Sequence, residues 1–218
     1  MVEIYCDGAD LATIPKYAAD PNIAGFTTNP SLMRKAGITH YTKFAQTVLA
    51  MVSGKPVSFE VLADDWKTMY EQAQRIQNWA DNVYVKVPIT NTHGESSVEL
   101  IDSLSDLNLN ITAVMTHDQL DDLETVVRPH HIVSVFAGRI MDAGKPVPPM
   151  QRRNMKCKTL WASTRELANL DMAEHLCYDI ITMTPDLIAK LPLLGKDLKQ
   201  YSLETVQQFY NDGRGIEF

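Results

Sequence analysis

A lysine in the middle of an apolar run is the first residue of this sequence whose position could do chemistry. In Val83-Tyr84-Val85-Lys86-Val87-Pro88-Ile89 the lysine has β-branched and aromatic neighbours on both sides, between polar Asp81-Asn82 and Thr90-Asn91. Such a run reads as a buried strand. Taking an ammonium out of water is costly, so lysine is rarely fully buried unless it is paired or employed. An edge-strand lysine reaching solvent is the ordinary alternative, but apolar flanks on both sides fit an interior strand better. In such surroundings the neutral amine is favoured, and that is the form that attacks a carbonyl. The chemistry this points to is Schiff-base formation.

The other reactive side chains recur at the ends of similar runs: Asp7, Thr27 and Asn29, Glu60, Asn110 and Thr112, Ser134 and Arg139, then Ser163 and Arg165. One polar residue after a strand is routine turn chemistry. Seven strand ends that each carry one, including two carboxyl groups and two guanidinium groups, are harder to explain as capping. By residue type, Lys86 is the nucleophile toward a ketone, and Asp7 and Glu60 are general acid and base, directly or through a water. Glu60 lies between Phe59 and Val61, so a buried structural ion pair with Lys86 is its alternative role; that role also brings the two together. Arg139, Arg165 and Ser163 suit a phosphate monoester, with surface salt bridges as the alternative for each arginine.

Positioning these groups requires a regular scaffold. Strand-like runs fall at 3–7, 23–28, 57–62, 83–89, 110–115, 131–137, 158–162 and 178–183, roughly every 20–35 residues, the spacing of βα units. Helical patterns lie between them at 9–18, 41–51, 64–79, 96–104, 119–127, 164–176 and 185–191. The 64–79 stretch is the clearest, with a stripe of Trp66, Met69, Tyr70, Ala73 and Ile76 and with Asp64 or Asp65 as N-cap. Eight strands alternating with helices in 218 residues predict a single (β/α)8 barrel, α/β in class and of near-minimal size. A doubly wound sheet is the runner-up, but no GxGxxG turn follows any strand. After the sixth strand, Gly144, Pro146, Pro148 and Pro149 leave a helix that is short or missing. An extra C-terminal helix is expected over 202–211, lying on the barrel or reaching a neighbouring subunit.

Composition narrows the partners. At 45% hydrophobic and 22% charged, the chain has enough apolar residues for a core, which argues against disorder. A formal charge of −7 without any basic run makes nucleic acid an unsuitable partner. No apolar run is long enough to span a bilayer. Cys6, Cys157 and Cys177 are odd in number and far apart, which fits a reducing, cytoplasmic setting rather than a disulfide framework or zinc site. The six histidines form no HExxH pattern, and adjacent His130-His131, if in a strand, point to opposite faces. No metal is expected.

Several motifs together resemble one family. Phe26-Thr27-Thr28-Asn29-Pro30-Ser31 resembles the TTNPS motif of the transaldolase family, and Val85-Lys86-Val87-Pro88 its Schiff-base lysine motif. Phe136-Ala137-Gly138-Arg139-Ile140 and Ala162-Ser163-Thr164-Arg165 are similar to its phosphate-side motifs. The similarity covers most of the chain, and the short length matches the compact branch that includes fructose-6-phosphate aldolase and small transaldolases. The resemblance implies that Lys86 forms an imine with a ketose phosphate and that Asp7 takes the C4 hydroxyl proton as the C3–C4 bond breaks. Glu60 and Thr112 would position a proton-shuttling water. Thr27, Asn29, Asn110, Ser134 and Phe136 would line the sugar site, with Asn29, Asn110 and Ser134 on the dihydroxyacetone hydroxyls. Arg139, Ser163 and Arg165 would hold phosphate. No cofactor is implied, the partners are sugar phosphates, and a ring-like homo-oligomer, pentamer or decamer, held partly by the C-terminal helix is expected. Compact aldolases carry glutamine in place of Glu60 and tyrosine in place of Phe136. Because a tyrosine hydroxyl offers a proton that would release the enamine, Phe136 favours transaldolase over aldolase. A phosphosugar-binding barrel without chemistry is the third reading.

Overall fold

The computed structural model describes residues 2–151 and 153–217; Arg152, within the proline-rich segment, lies outside them, as do Met1 and Phe218. Eight strands form one closed parallel barrel in sequence order: β1 (Glu3–Asp7), β2 (Ile23–Thr27), β3 (Val57–Glu60), β4 (Val83–Pro88), β5 (Leu109–Val114), β6 (Ile132–Val135), β7 (Lys158–Trp161) and β8 (Ile180–Met183). The expected strands are all present, with ends that differ by one or two residues. The register sets Asp7 beside Thr27, and Glu60, Lys86 and Asn110 side by side on three neighbouring strands.

Two apolar bodies hold the barrel. The larger fills the space between sheet and helices and includes Phe26, Phe59, Val85, Ile111, Val133 and Trp161. The smaller plugs the inside, where Tyr5, Ile132, Leu160, Ala162 and Ile180 pack together with Tyr84 and Phe136 against them. Side chains two apart on a strand share a face. The strands that put Tyr5, Tyr84, Ile132 and Ile180 into the plug therefore put Asp7, Lys86, Ser134 and Thr182 one layer higher, toward their C-terminal ends. Gly25 makes room for the plug: a Cβ there would lie 2.6 Å from the Tyr5 ring.

The helices are α1 (Ile14–Ala18), α2 (Pro30–Lys35), α3 (Tyr41–Met51), α4 (Trp66–Gln77), α5 (Val98–Ser103), α6 (His117–Glu124), α7 (Ala137–Asp142), α8 (Ala168–His175), α9 (Pro185–Ile188) and α10 (Leu198–Asp212), with a 3-10 turn at Leu191–Leu193 before the last. Asp65 is the N-cap of α4, accepting from Thr68 N at 2.9 Å, while Asp64 accepts from the Thr92 backbone and hydroxyl. Most helices are shorter than their apolar pattern predicts, the expected 64–79, 96–104 and 185–191 among them, and in two the start is lost because local side chains capture the backbone first. Asp10 Oδ1 accepts from Ala12 N, so a turn replaces the start of the expected 9–18 helix. Asn169 Oδ1 accepts from Arg165 N and Glu166 N at 2.9 and 3.1 Å, which delays α8. The C-terminal helix is longer than expected, starting from the Asp197 cap.

The helix after β6 is the six-residue α7, as the prolines imply. The chain beyond it runs without regular structure and fills the gap a longer helix would occupy. Val147, Met150 and Cys157 are buried. Pro148 O accepts from Tyr178 Oη, and Met150 N donates to Leu176 O just beyond α8. Arg153, on the other side, pairs with Asp121 and Glu124 of α6 at 2.7 and 3.3 Å. The segment is a strap on the outer wall.

His130 and His131 lie before β6 rather than in it, and both ring Nε2 atoms meet Ser105 O. His131 is buried, with Nδ1 accepting from Arg128 N at 3.1 Å, an arrangement for a neutral ring. Burial lowers its pKa from 6.5 to about 4. The unfolded chain therefore binds the extra proton between those values, so this contribution to stability is full above about pH 6.5 and fades toward pH 4. Thermal unfolding followed from pH 7 to pH 4 should give a steeper loss for the native protein than for His131→Gln in that window. Parallel curves would refute the assignment.

Candidate active site

The C-terminal ends of the strands surround a cavity of about 480 Å³. Lys86 enters it from β4 and is only 5% exposed. Its Nζ donates to Thr28 O at 2.9 Å and lies 3.1 Å from Glu60 Oε2. The lysine is thus inside the closed sheet, as its apolar flanks predict, and its partner is the carboxylate on the adjacent strand. Among the described residues, Lys86 and Glu60 form the ion pair of the barrel interior, and both line the cavity.

Asp7, from β1, lines the same cavity. Burial raises its carboxyl pKa; the Lys86 charge and a hydrogen bond from Thr27 oppose that, and Glu60 adds to it. Thr27 Oγ1 donates to Asp7 Oδ1 at 2.8 Å and lies 2.5 Å from Thr182 Oγ1. A buried carboxyl whose pKa is raised in this way suits a role in proton transfer. The thiols offer no competing nucleophile within the barrel wall: burial pushes Cys6 and Cys157 up to about 12.

Thr112 and Ser134 also line the cavity. The Thr112 hydroxyl is buried without a hydrogen-bond partner, so a ligand or water placed beside it satisfies a group otherwise costly to bury. Asn110 is fully buried and does not reach the cavity; its Oδ1 accepts from Ser134 Oγ at 2.6 Å, and its Nδ2 donates to Ser58 Oγ at 3.0 Å. It holds Ser134 from behind. Asn29 reaches the rim with its amide, while its Oδ1 caps α2 at Leu32 N.

The opposite wall carries the arginines. Arg139, in the first turn of α7, lines the cavity with its guanidinium 5.8 Å from the Phe136 ring centroid and, among the described residues, without an ion pair. Arg165 lines the mouth with its guanidinium already bound to Asp142, Nε lying 3.2 Å from Oδ2. That contact holds the Asp142 carboxyl below the usual range. Ser163 lies between them. Its φ of 63° is left-handed, as is that of Ala113 on β5, two strands away. Such backbone costs about 1–3 kcal/mol per residue and collects at ligand sites. Tight packing accounts for Ser163: a Cβ on Gly138 would lie 1.7 Å from Ser163 O.

All the residues singled out at strand ends come to this one cavity except Asn110, which lies behind it. Two others were not anticipated. Ser58 precedes Glu60 by two positions on β3, and Thr182 is the lone hydroxyl in the Ile-Ile-Thr-Met run of β8. Period-two counting back from Glu60 finds the first; the second breaks an apolar strand just as Lys86 does.

Comparison with known proteins agrees with this geometry. The family model described as Transaldolase/Fructose-6-phosphate aldolase matches residues 4–217. A probable transaldolase of Dehalococcoides mccartyi is 33% identical over 143 residues, covering 66% of this chain and 64% of that protein. A probable transaldolase of Methanococcus maripaludis is 28% identical over 92% of this chain and 95% of its own length. Among solved structures, a dihydrodipicolinate synthase from Rhodopseudomonas palustris superposes with a TM-score of 0.56 over 98% of this chain and 80% of that one, at 13% identity, a likeness of fold alone. The chain belongs to the transaldolase/fructose-6-phosphate aldolase family, and its size is consistent with the small transaldolase-like branch.

Proposed function

We propose that this protein is a transaldolase that moves a dihydroxyacetone unit from a ketose phosphate to an aldose phosphate through an imine on Lys86. The observation that carries the reading is the Lys86–Glu60 pair, 3.1 Å apart inside the barrel and open to the cavity. Glu60 is placed to take the ammonium proton, which frees the amine to attack the C2 carbonyl of sedoheptulose 7-phosphate or fructose 6-phosphate. The carbinolamine then loses water, with Glu60 and the unpartnered Thr112 hydroxyl holding the shuttling water. Asp7 takes the C4 hydroxyl proton as the C3–C4 bond breaks and the aldose phosphate leaves. The three-carbon enamine attacks glyceraldehyde 3-phosphate or erythrose 4-phosphate, and Asp7 returns the proton to the new hydroxyl. Asn29 and Ser134, the latter held by Asn110, suit the hydroxyls of the tethered fragment.

Phe136 favours transfer over release, since it brings no hydroxyl to protonate the enamine. An aldolase that frees dihydroxyacetone is the second reading, and a phosphosugar-binding barrel the third. Fructose 6-phosphate with borohydride should fix a covalent adduct on Lys86, located by peptide mass, and Lys86→Met should abolish it. An unmodified Lys86 would count decisively against enzyme chemistry. Product formation should require erythrose 4-phosphate; dihydroxyacetone released without an acceptor would replace transferase by aldolase.

Among the described residues Arg139 has no ion-pair partner, and it faces the cavity, so the phosphate is assigned to it first, with Ser163 beside it and Arg165 contributing by exchanging Asp142 for the ligand. A charge-assisted contact of about 1.5–3 kcal/mol corresponds to roughly a 10- to 100-fold effect. Arg139→Ala should raise KM for phosphorylated donors by that much, and Arg165→Ala by less. Equal effects of the two variants would show that Asp142 does not hold Arg165 back.

The three unpaired thiols accord with a cytoplasmic setting. A homo-oligomer is inferred from α10, none of whose residues is buried, with Val206, Phe209 and Tyr210 each more than 60% exposed; pentamer or decamer is what the family resemblance implies. Sedimentation velocity should give a multiple of the chain mass, reduced by Phe209→Glu; a native monomer would rule the assembly out.

A further inference from the structure

We propose that Thr182 is a positioning residue of this site: its hydroxyl donates to Thr27 Oγ1 and thereby commits the single hydroxyl proton of Thr27 to Asp7 Oδ1, leaving Asp7 Oδ2 to exchange the proton with the sugar. The inference deepens the proposed reaction and rests on it for its catalytic meaning. Its structural content stands on the contacts alone.

A threonine hydroxyl has one hydrogen to give. Thr27 gives its hydrogen to Asp7 Oδ1 at 2.8 Å. The 2.5 Å contact between Thr27 and Thr182 then has one possible polarity, with Thr182 as donor. The backbone that carries Thr182 is fixed on both sides: Thr182 O accepts from Thr164 Oγ1 at 2.6 Å, and β8 is paired with both β1 and β7. The result is a directed chain across the closure of the barrel, from β8 to β2 to β1. Among the described residues Asp7 Oδ2 accepts no hydrogen bond, and Asp7 lines the cavity. Chains of hydroxyls polarise one another, so the last bond is stronger than an isolated one.

Without Thr182, the Thr27 hydroxyl is free to turn, and a protonated Asp7 can donate to it. The charged form of Asp7 then loses part of its support. The charges acting on Asp7 are Lys86 of β4 and Glu60 of β3; Asp10, Lys35 of α2 and Asp186 of α9 line an adjoining cavity of about 540 Å³. None of these moves when Thr182 loses its hydroxyl, so a change in titration reports the chain itself.

The test uses the full-length protein and the variants Thr182→Val, which keeps the shape, and Thr182→Ser, which keeps the hydroxyl. The Asp7 carboxyl is followed by carbon-13 NMR across pH, its signal identified by its absence in Asp7→Asn. The same variants are assayed with fructose 6-phosphate and erythrose 4-phosphate. In Thr182→Val the Asp7 midpoint should rise by up to about one pH unit, because the Thr27 hydroxyl no longer favours the charged carboxylate over the protonated one. The acid limb of kcat should rise with it, kcat at neutral pH should fall about tenfold, and KM should change little. Thr182→Ser should restore all of these. An Asp7 titration unchanged in a folded Thr182→Val protein overturns the proposal, whatever the activity. A shifted titration with an unshifted acid limb of kcat overturns its catalytic part. Failure of the borohydride adduct on Lys86 would strike the proposed reaction instead, and the NMR titration would still decide the role of Thr182.

Discussion

The whole arrangement depends on keeping one ammonium inside a closed sheet. Burying an ion of that size costs several kcal/mol even after relaxation, and the Glu60 carboxylate and the Thr28 carbonyl offset it here by direct contact, with Asp7 interacting through its charge. Removing either partner of such a pair typically costs about 3–5 kcal/mol, so Lys86 and Glu60 are tied by stability as well as by chemistry. Strand register is what enforces the pair. Glu60 and Lys86 are Cα partners on β3 and β4, and a slip of one residue would turn both out of the barrel.

The barrel interior is divided accordingly. Its lower part is an oily plug centred on Tyr5, Leu160 and Ile180, and its upper layer is polar on most strands. β7 is the exception, contributing Leu160 and Ala162 to the cavity wall. The polar layer is therefore open to solvent on one side and sealed by hydrocarbon on the other. That asymmetry lets Asp7 and Lys86 feel strong local fields while remaining reachable by a ligand in the cavity. The left-handed backbones at Ala113 and Ser163 line the same opening, which places the strain where a ligand would contact the wall.

The sequence carried the barrel because strand and helix periods alternate eight times, and it carried Lys86 and Glu60 because a charge in an apolar strand needs a reason. Helix starts were less legible. The apolar pattern of 9–18 and 164–176 continues through residues whose backbone is captured by Asp10 and Asn169, and a side-chain cap formed across a turn leaves no periodic trace. The pairing of Arg165 with Asp142 joins two rims 23 positions apart, which spacing does not reveal. Asn110 stands at a strand end as expected but lies behind the cavity rather than in its wall, because its depth depends on how far β5 is sheared against its neighbours. Thr182 was overlooked because a single threonine suits a strand by propensity.

The strap that replaces a full helix after α7 anchors to α6 through Arg153 and to the end of α8 through Met150, and none of its described residues lines the cavity. Outer wall and reaction chamber are thus separate modules of one chain. Length changes in this segment would redraw the protein's silhouette, and with it the company it keeps, while the atoms that line the cavity stay where they are.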